Sequence, residues 1–235
     1  KRLTEDFPAM AVKSSTRAES SAKDHPDNKR FSAILRTLKK TYPDATCELN
    51  FQNPLQLLIA TILAAQCTDA RVNQLTPALF KKYKTARDFA GAEPEELEED
   101  IRSTGFYRQK TKSIINACGE LAGKHKGKVP ASMDAMVALP GVGRKTANVV
   151  LGTAMGIPTG IVVDTHVKRV SWRLELTGQK NPDKVEKDLM AVVPEKRWIS
   201  FGHEMTLHGR RVCLARKPRC MTCPLEKHCP KRDVA

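Results

Sequence analysis

LPGVGRKTANVVLGTAMG, residues 139–156, is the stretch from which the rest of the chain is best read. Gly141 and Gly143 follow Leu139-Pro140 and precede a segment with helical apolar spacing. Such a pair gives a turn whose backbone can take φ > 0 and come close to a ligand. Successive amide N–H groups there, with the N-terminus of the next helix, form a concavity suited to anions. In that helix Ala147, Val150, Leu151 and Ala154 make the core stripe, leaving Lys145 and Asn148 off it. The string is not a Walker loop, because the four residues between the glycines are missing. Nor is it GxGxxG, because Thr146 stands where the third glycine belongs. A lone GxG is equally well explained as a turn between two packed helices.

Outward from this hairpin the chain keeps announcing helices. The hairpin itself pairs 132–139 with 144–155. Phe31, Ile34, Leu35 and Leu38 fall at i, i+3, i+4 and i+7, a helix that Pro43 closes. Asn53-Pro54 is an N-cap followed by proline at the first helical position, and LQLLIATILAAQ after it is apolar nearly all round, so a buried central helix is predicted. Further helices are predicted over about 70–82, 94–103 (closed by Gly105), 108–123, 165–175, 182–193 and 198–208. In the 108–123 segment, Ile114, Ile115, Cys118, Leu121 and Ala122 share one side. Only GIVVD at 160–164 is β-like, and it is too short to build a sheet. No period of 20–50 residues repeats. The predicted fold is all-α, preceded by a polar tail at 1–24 that reads as disordered.

The chain has 235 residues, a hydrophobic fraction of 40%, a net charge of +14 and a pI near 9.6. That positive excess points to a polyanionic partner, nucleic acid before membrane. No apolar run reaches the ~18 residues needed to span a bilayer; the best candidate, 55–65, is interrupted by Gln56 and Thr61. The opening KRLTEDFPAM has no apolar signal segment and does not begin with Met, so a trimmed end is expected. Seven cysteines without secretory context argue against a disulfide framework and for a reduced, intracellular setting.

Three groups of residues carry candidate chemistry. Lys145 sits in the first turn of the helix after the glycine turn. A lysine of ordinary pKa, ~10.4, is neutral in only about one molecule in 2,500 at pH 7, so a nucleophilic lysine needs burial or nearby positive charge, here the helix N-terminus. Nineteen residues on, Asp164 in VDTHV precedes a helix, and an N-cap is a complete explanation for it. His166 beside it reads equally as a structural histidine or a phosphate contact. Cys213, Cys220, Cys223 and Cys229 follow the pattern C-x6-C-x2-C-x5-C, enough thiolates for a closed four-ligand site. Zinc is one candidate, although zinc sites of this kind usually read as two close pairs. Cys47, Cys67 and Cys118 read as core residues.

Taken together, LPGVGRKTA and the 6–2–5 cysteine spacing resemble the helix-hairpin-helix DNA glycosylases of the endonuclease III family, over roughly residues 28–232. The resemblance implies two helical lobes with a DNA-binding cleft between them: 47–158 carrying the hairpin, and 25–46 plus 159–235 carrying a four-iron, four-sulfur cluster on the four cysteines. It implies a base-excision glycosylase and abasic-site lyase that removes oxidised pyrimidines from duplex DNA, acting as a monomer with no membrane partner. The setting would be a bacterial cytoplasm, or a nucleus or mitochondrion in a eukaryote. Lys145 would attack the anomeric carbon, expel the base and form a Schiff base, after which elimination cuts on the 3′ side. Asp164 would deprotonate Lys145 or stabilise positive charge on the sugar. Gly141, Val142, Gly143, Arg144 and His166 would contact DNA. A base inside a duplex must be flipped out, and Gln66 and Phe106 would fill the gap; relatives commonly carry leucine where this chain has Phe106. Asp69 would cap a helix or line the damage pocket. Arg216, Lys217 and Arg219, held by the cluster, would meet phosphates. An adenine-removing relative is the nearest rival, but that type usually lacks the lysine and extends beyond the cluster. A non-catalytic DNA-binding protein with a structural metal is the rival from another class.

Overall fold

A computed structural model of the chain describes residues 28–234. The 1–24 tail therefore lies outside the described residues.

The first helix, α1 (Asn28–Thr41), buries Ile34 and Leu38 completely and stops two residues before Pro43. Next comes α2 (Pro54–Leu63). Asn53 caps it, its side chain accepting from the Gln56 N–H at 3.0 Å, and Pro54 takes the first helical position. Leu57, Leu58, Ile59, Ala60, Ile62 and Leu63 are all buried, so this helix is the axis of the first core. Each large aliphatic side chain there contributes roughly 1.5–3 kcal/mol of burial.

Around α2 pack α3 (Asp69–Lys82), α4 (Ala86–Ala90), α5 (Pro94–Ile101), α6 (Tyr107–Lys124), α7 (Met133–Val137) and α8 (Arg144–Val149). The five-residue α4 was not predicted from the sequence. A capping box holds it, with the Thr85 side chain on the Asp88 N–H and the Asp88 carboxylate back on the Thr85 N–H. A 3-10 turn, Arg102–Thr104, ends at Gly105, whose φ of 69° closes the segment. The helix predicted over 144–155 changes pitch at Val150: Val150–Ala154 forms one wide π turn, where Gly152 lies against Ile199. A Cβ on Gly152 would stand 3.3 Å from Ile199 Cγ1.

The second core joins the two ends of the described chain. Ile34, Leu38 and Tyr42 pack with Val167, Val170, Leu189, Phe201, Met205 and Leu225. Its helices besides α1 are α9 (Thr165–Arg173), α10 (Pro182–Val192) and α11 (Trp198–Arg211), followed by 3-10 turns at Cys220–Thr222 and Glu226–His228. Among the described residues there is no strand; residues 156–164 run without regular structure from the first core to the second. None of the described helices is long and apolar enough to cross a membrane.

Candidate active site

The two cores meet at a cleft, and the elements that form it are helix ends. Leu139, Pro140 and Gly141 lead from α7 into α8. Gly141 has φ 75°, and a Cβ on it would come within 2.7 Å of both Cβ and Oγ of Ser113 on α6. Glycine is thus required twice, by conformation and by contact. Val142 turns inward, 5% exposed, and its N–H is taken by the Leu139 carbonyl at 3.1 Å. The outward-facing positions of the turn are Gly141, Gly143 and the start of α8, where Gly143 brings no side-chain cap and the first amide N–H groups lack intrahelical partners.

Lys145 is exposed and faces an open cavity between the two cores. Asp164 faces the same cavity from the N-terminus of α9, so the chain between them brings the amine and the carboxylate to one cleft from opposite cores. Both Asp164 oxygens are held: Oδ1 accepts from the Val167 N–H at 2.7 Å, and Oδ2 from the Thr206 hydroxyl at 3.2 Å. The carboxylate is therefore an N-cap and a rigid wall of the cleft at once. Its second oxygen faces a single hydroxyl, which leaves lone pairs to receive a proton.

His166, half-buried, lines the cleft as well, and its Nδ1 lies 3.2 Å from Arg169 Nη2. Arg169 continues to the Gly209 and Cys213 carbonyls at 2.9 and 3.1 Å. His203 completes the back wall. Burial pushes its imidazole below the ordinary value while the Asp164 charge draws it up. Nothing in the spacing of WISFGHEM had marked His203 as a cleft residue.

Ionic contacts cross between the cores on two sides of the cleft. On one side Arg210 of α11 pairs with Asp69 at 2.8 Å and with Glu48. Asp69 thus lines the cavity at the start of α3, while the capping oxygen there comes from Thr68. On the other side Arg144 forms a fork with Glu186 of α10, Nε to Oε2 at 2.8 Å and Nη2 to Oε1 at 3.0 Å. Arg144, read from the sequence as a DNA contact, therefore has its guanidinium already engaged by a carboxylate that is 5% exposed. Asn148 lies off the apolar stripe yet is buried. It is 3% exposed, donates to Glu186 Oε1 at 2.8 Å and accepts from the Thr159 hydroxyl at 2.9 Å. It lies off the stripe that meets the first core because it belongs to a second buried face, the one against α10.

Gln66 and Phe106 sit on two turns, each with left-handed backbone, φ 53° and 50°. Gln66 is exposed, and Phe106 is 65% exposed, too open for a core residue. Cys118 is buried in the first core, and burial pushes its thiol up to about 12. Cys47 and Cys67 are only half-buried, pack on that core's rim and face the cleft.

Cys213, Cys220, Cys223 and Cys229 all line one pocket under the end of α11. None of the described cysteines is in a disulfide. Arg173 Nη1 approaches the Cys213 Sγ at 3.3 Å, and His208 Nε2 the Cys223 Sγ at 3.6 Å. Nitrogen groups aimed at two of the four sulfurs suit thiolate ligands. No three His, Cys, Asp or Glu side chains among the described residues are grouped closely enough to share a single ion. Arg216, Lys217 and Arg219 are exposed on the loop between the first two cysteines.

Comparison with known proteins gives a consistent picture. The family described as HhH-GPD superfamily base excision DNA repair protein matches residues 59–195. An endonuclease III from a Synechocystis species is 52% identical over 206 residues, covering 88% of this chain and 94% of that protein. The Escherichia coli K12 endonuclease III is 44% identical over 200 residues, 85% of this chain and 94% of that protein. Among solved structures, a trapped endonuclease III–DNA covalent intermediate superposes with a TM-score of 0.82 at 46% identity, covering 86% of this chain and 95% of that one. A thermostable thymine-DNA glycosylase shares the fold, with a TM-score of 0.80 at 23% identity.

Proposed function

Because the chain belongs to the HhH-GPD superfamily of base excision DNA repair proteins, and within it to the endonuclease III family, we propose that Lys145 and Asp164 are the catalytic pair with which it excises oxidised pyrimidines from duplex DNA. The protein is a DNA glycosylase and abasic-site lyase. The observation that carries the assignment of roles is the convergence of the two side chains on one cleft from separate cores.

In this reading the damaged nucleotide leaves the duplex and enters the cleft. Lys145 is exposed in the free protein, so its amine is open to the incoming nucleotide. Asp164 takes the ammonium proton. Nζ then forms a bond to the anomeric carbon as the bond to the base breaks and the base leaves with the electron pair. The sugar ring opens to a Schiff base, and loss of a proton from the carbon next to the imine expels the 3′ phosphate. Asp164 is suited to the proton work because its cap bond to Val167 and its bond to Thr206 fix it without occupying every lone pair.

The outward N–H groups of the Gly141–Gly143 turn and of the first turn of α8 are the proposed phosphate grip. Arg144 and Val142 support it from behind, Arg144 by docking on Glu186 and Val142 from the core. Gln66 and Phe106 are the gap fillers. The two cores support a division of the described chain into lobes near 46 and 159, and one chain holds the whole site, which supports action as a monomer.

The four cysteines would hold the four-iron, four-sulfur cluster of the family. Their shared pocket and the nitrogen groups at Cys213 and Cys223 fit it. When bound, the cluster ties four points of the C-terminal loop together, and Arg216, Lys217 and Arg219 are then presented on a fixed arc to phosphates.

A panel of duplexes tests the assignment: one oxidised pyrimidine, one abasic site, or adenine opposite an oxidised guanine. Borohydride should trap the protein on the first two. Release of adenine from the third duplex without capture would favour the adenine-removing type, and binding with neither base release nor capture a non-catalytic protein.

A further inference from the structure

Lys110 is a buried cation that none of the chemistry above uses. It sits in the first turn of α6 and is 4% exposed. Its ammonium donates to the Leu63 carbonyl at 2.8 Å and to the Thr104 carbonyl at 2.8 Å, and among the described residues no carboxylate is paired with it. Leu63 ends α2, three residues before Gln66; Thr104 ends the 3-10 turn, two residues before Phe106. Both carbonyls would otherwise be unpartnered helix-end acceptors. Burial holds the Lys110 amine below its ordinary value, so these two bonds offset a real desolvation cost. Apolar side chains could fill that interior at no such cost; a cation there is explained by what it fastens.

We propose that Lys110 is a positioning residue that fixes the spacing of the two turns presenting Gln66 and Phe106 to DNA. A single ammonium bonded to both turns makes their separation a property of one side chain. Both turns carry their exposed residue in left-handed backbone, a conformation that persists only when its surroundings hold it. Losing the clamp frees each turn to relax separately, and misplacement by ~1 Å at such a site costs about 10²-fold in rate. The inference rests on reading Gln66 and Phe106 as gap fillers.

The test uses Lys110→Met, Lys110→Arg, Gln66→Ala and Phe106→Ala in the full chain with its cluster. Single-turnover excision is measured on duplex DNA carrying 2-aminopurine opposite the lesion, whose fluorescence reports opening and filling of the stack. Borohydride capture on a single-stranded abasic oligonucleotide is the companion assay, because a single strand has no gap to fill. Lys110→Met should lower the duplex rate roughly 10- to 100-fold and reduce the fluorescence change, with single-strand capture within about twofold. Lys110→Arg, able to donate to two carbonyls, should recover most of the loss. Adding Phe106→Ala to Lys110→Met should cost little more than either alone. An unchanged duplex signal in Lys110→Met, or equal losses on duplex and single strand, overturns the proposal. If Gln66→Ala and Phe106→Ala both leave the duplex signal intact, the gap-filler reading itself is wrong, and the proposal falls with it. Should Lys110→Met not fold, Lys110→Gln, which reaches one carbonyl, carries the same comparison.

Discussion

Asp164 does two jobs through two oxygens, and a pair of substitutions separates them. In Asp164→Asn the amide oxygen keeps the bond from the Val167 N–H, and the amide nitrogen can donate to the Thr206 hydroxyl that now donates to Oδ2. Asn caps helices about as well as Asp, so the stability loss should be a few tenths of a kcal/mol. Asp164→Ala loses the cap, about 1 kcal/mol, and leaves the Thr206 hydroxyl without its acceptor, about another 1 kcal/mol. For a chain of this size, about 2 kcal/mol corresponds to a fall in Tm of roughly 4–8 °C. Activity should follow a different order. Removing the carboxylate's charge and basicity takes roughly 10²- to 10⁴-fold from excision in both variants. Thermal unfolding and single-turnover excision on a lesion duplex, run side by side, make the comparison. A fully folded Asp164→Asn protein that excises within about threefold of wild type would mean that the carboxylate is only a cap, and the proposed mechanism would be wrong.

Other parts of the structure give equally definite expectations. Gly141→Ala should lose about 1–2 kcal/mol from its positive φ alone and more from the Ser113 contact; Ser113→Gly should restore the second part only, as read by urea denaturation. Arg197 grips the buried carboxylate of Glu204 through two bonds of 2.8 and 2.7 Å. Arg197→Ala should therefore cost about 3–5 kcal/mol by leaving that charge unpaired, whereas Arg197→Ala with Glu204→Leu should recover much of it. Burial keeps the His203 ring below its ordinary value. The unfolded chain then takes up a proton near pH 6.5 that the folded chain refuses until lower pH, so this contribution is intact above ~6.5 and is lost as pH falls. A Tm-against-pH series from 5 to 8 should flatten in His203→Gln.

What could be read from the sequence was what is encoded within one turn or one loop. The glycine turn with Lys145 behind it, the Asp164 cap and the four cysteines within 17 residues are all local patterns. Asn53-Pro54 opens α2 as the capping rule requires. Interactions between cores were not visible. Arg144 and Glu186 are 42 residues apart, and a cation next to a phosphate-binding turn looks free until its partner is placed. Asn148 lies off the apolar stripe as expected, but its burial against α10 was not legible, because one helical period identifies one buried face and α8 has two. Lys110 looks like a surface charge in TGFYRQKTK; only the approach of the α2 end makes it interior. At five residues, α4 is too short to show a period, although its Thr85–Asp88 capping box was there to be read. At the π turn of Val150–Ala154, Gly152 lies beside Ile199 of α11, a neighbour across the two cores that local sequence does not reveal.

The most direct measurement is to reduce the complex with borohydride on an abasic duplex, digest it and locate the modified peptide by mass spectrometry. The adduct should map to Lys145 alone, and Lys145→Ala should give none while still binding the duplex. An adduct on another lysine, or one that survives Lys145→Ala, would contradict the assignment.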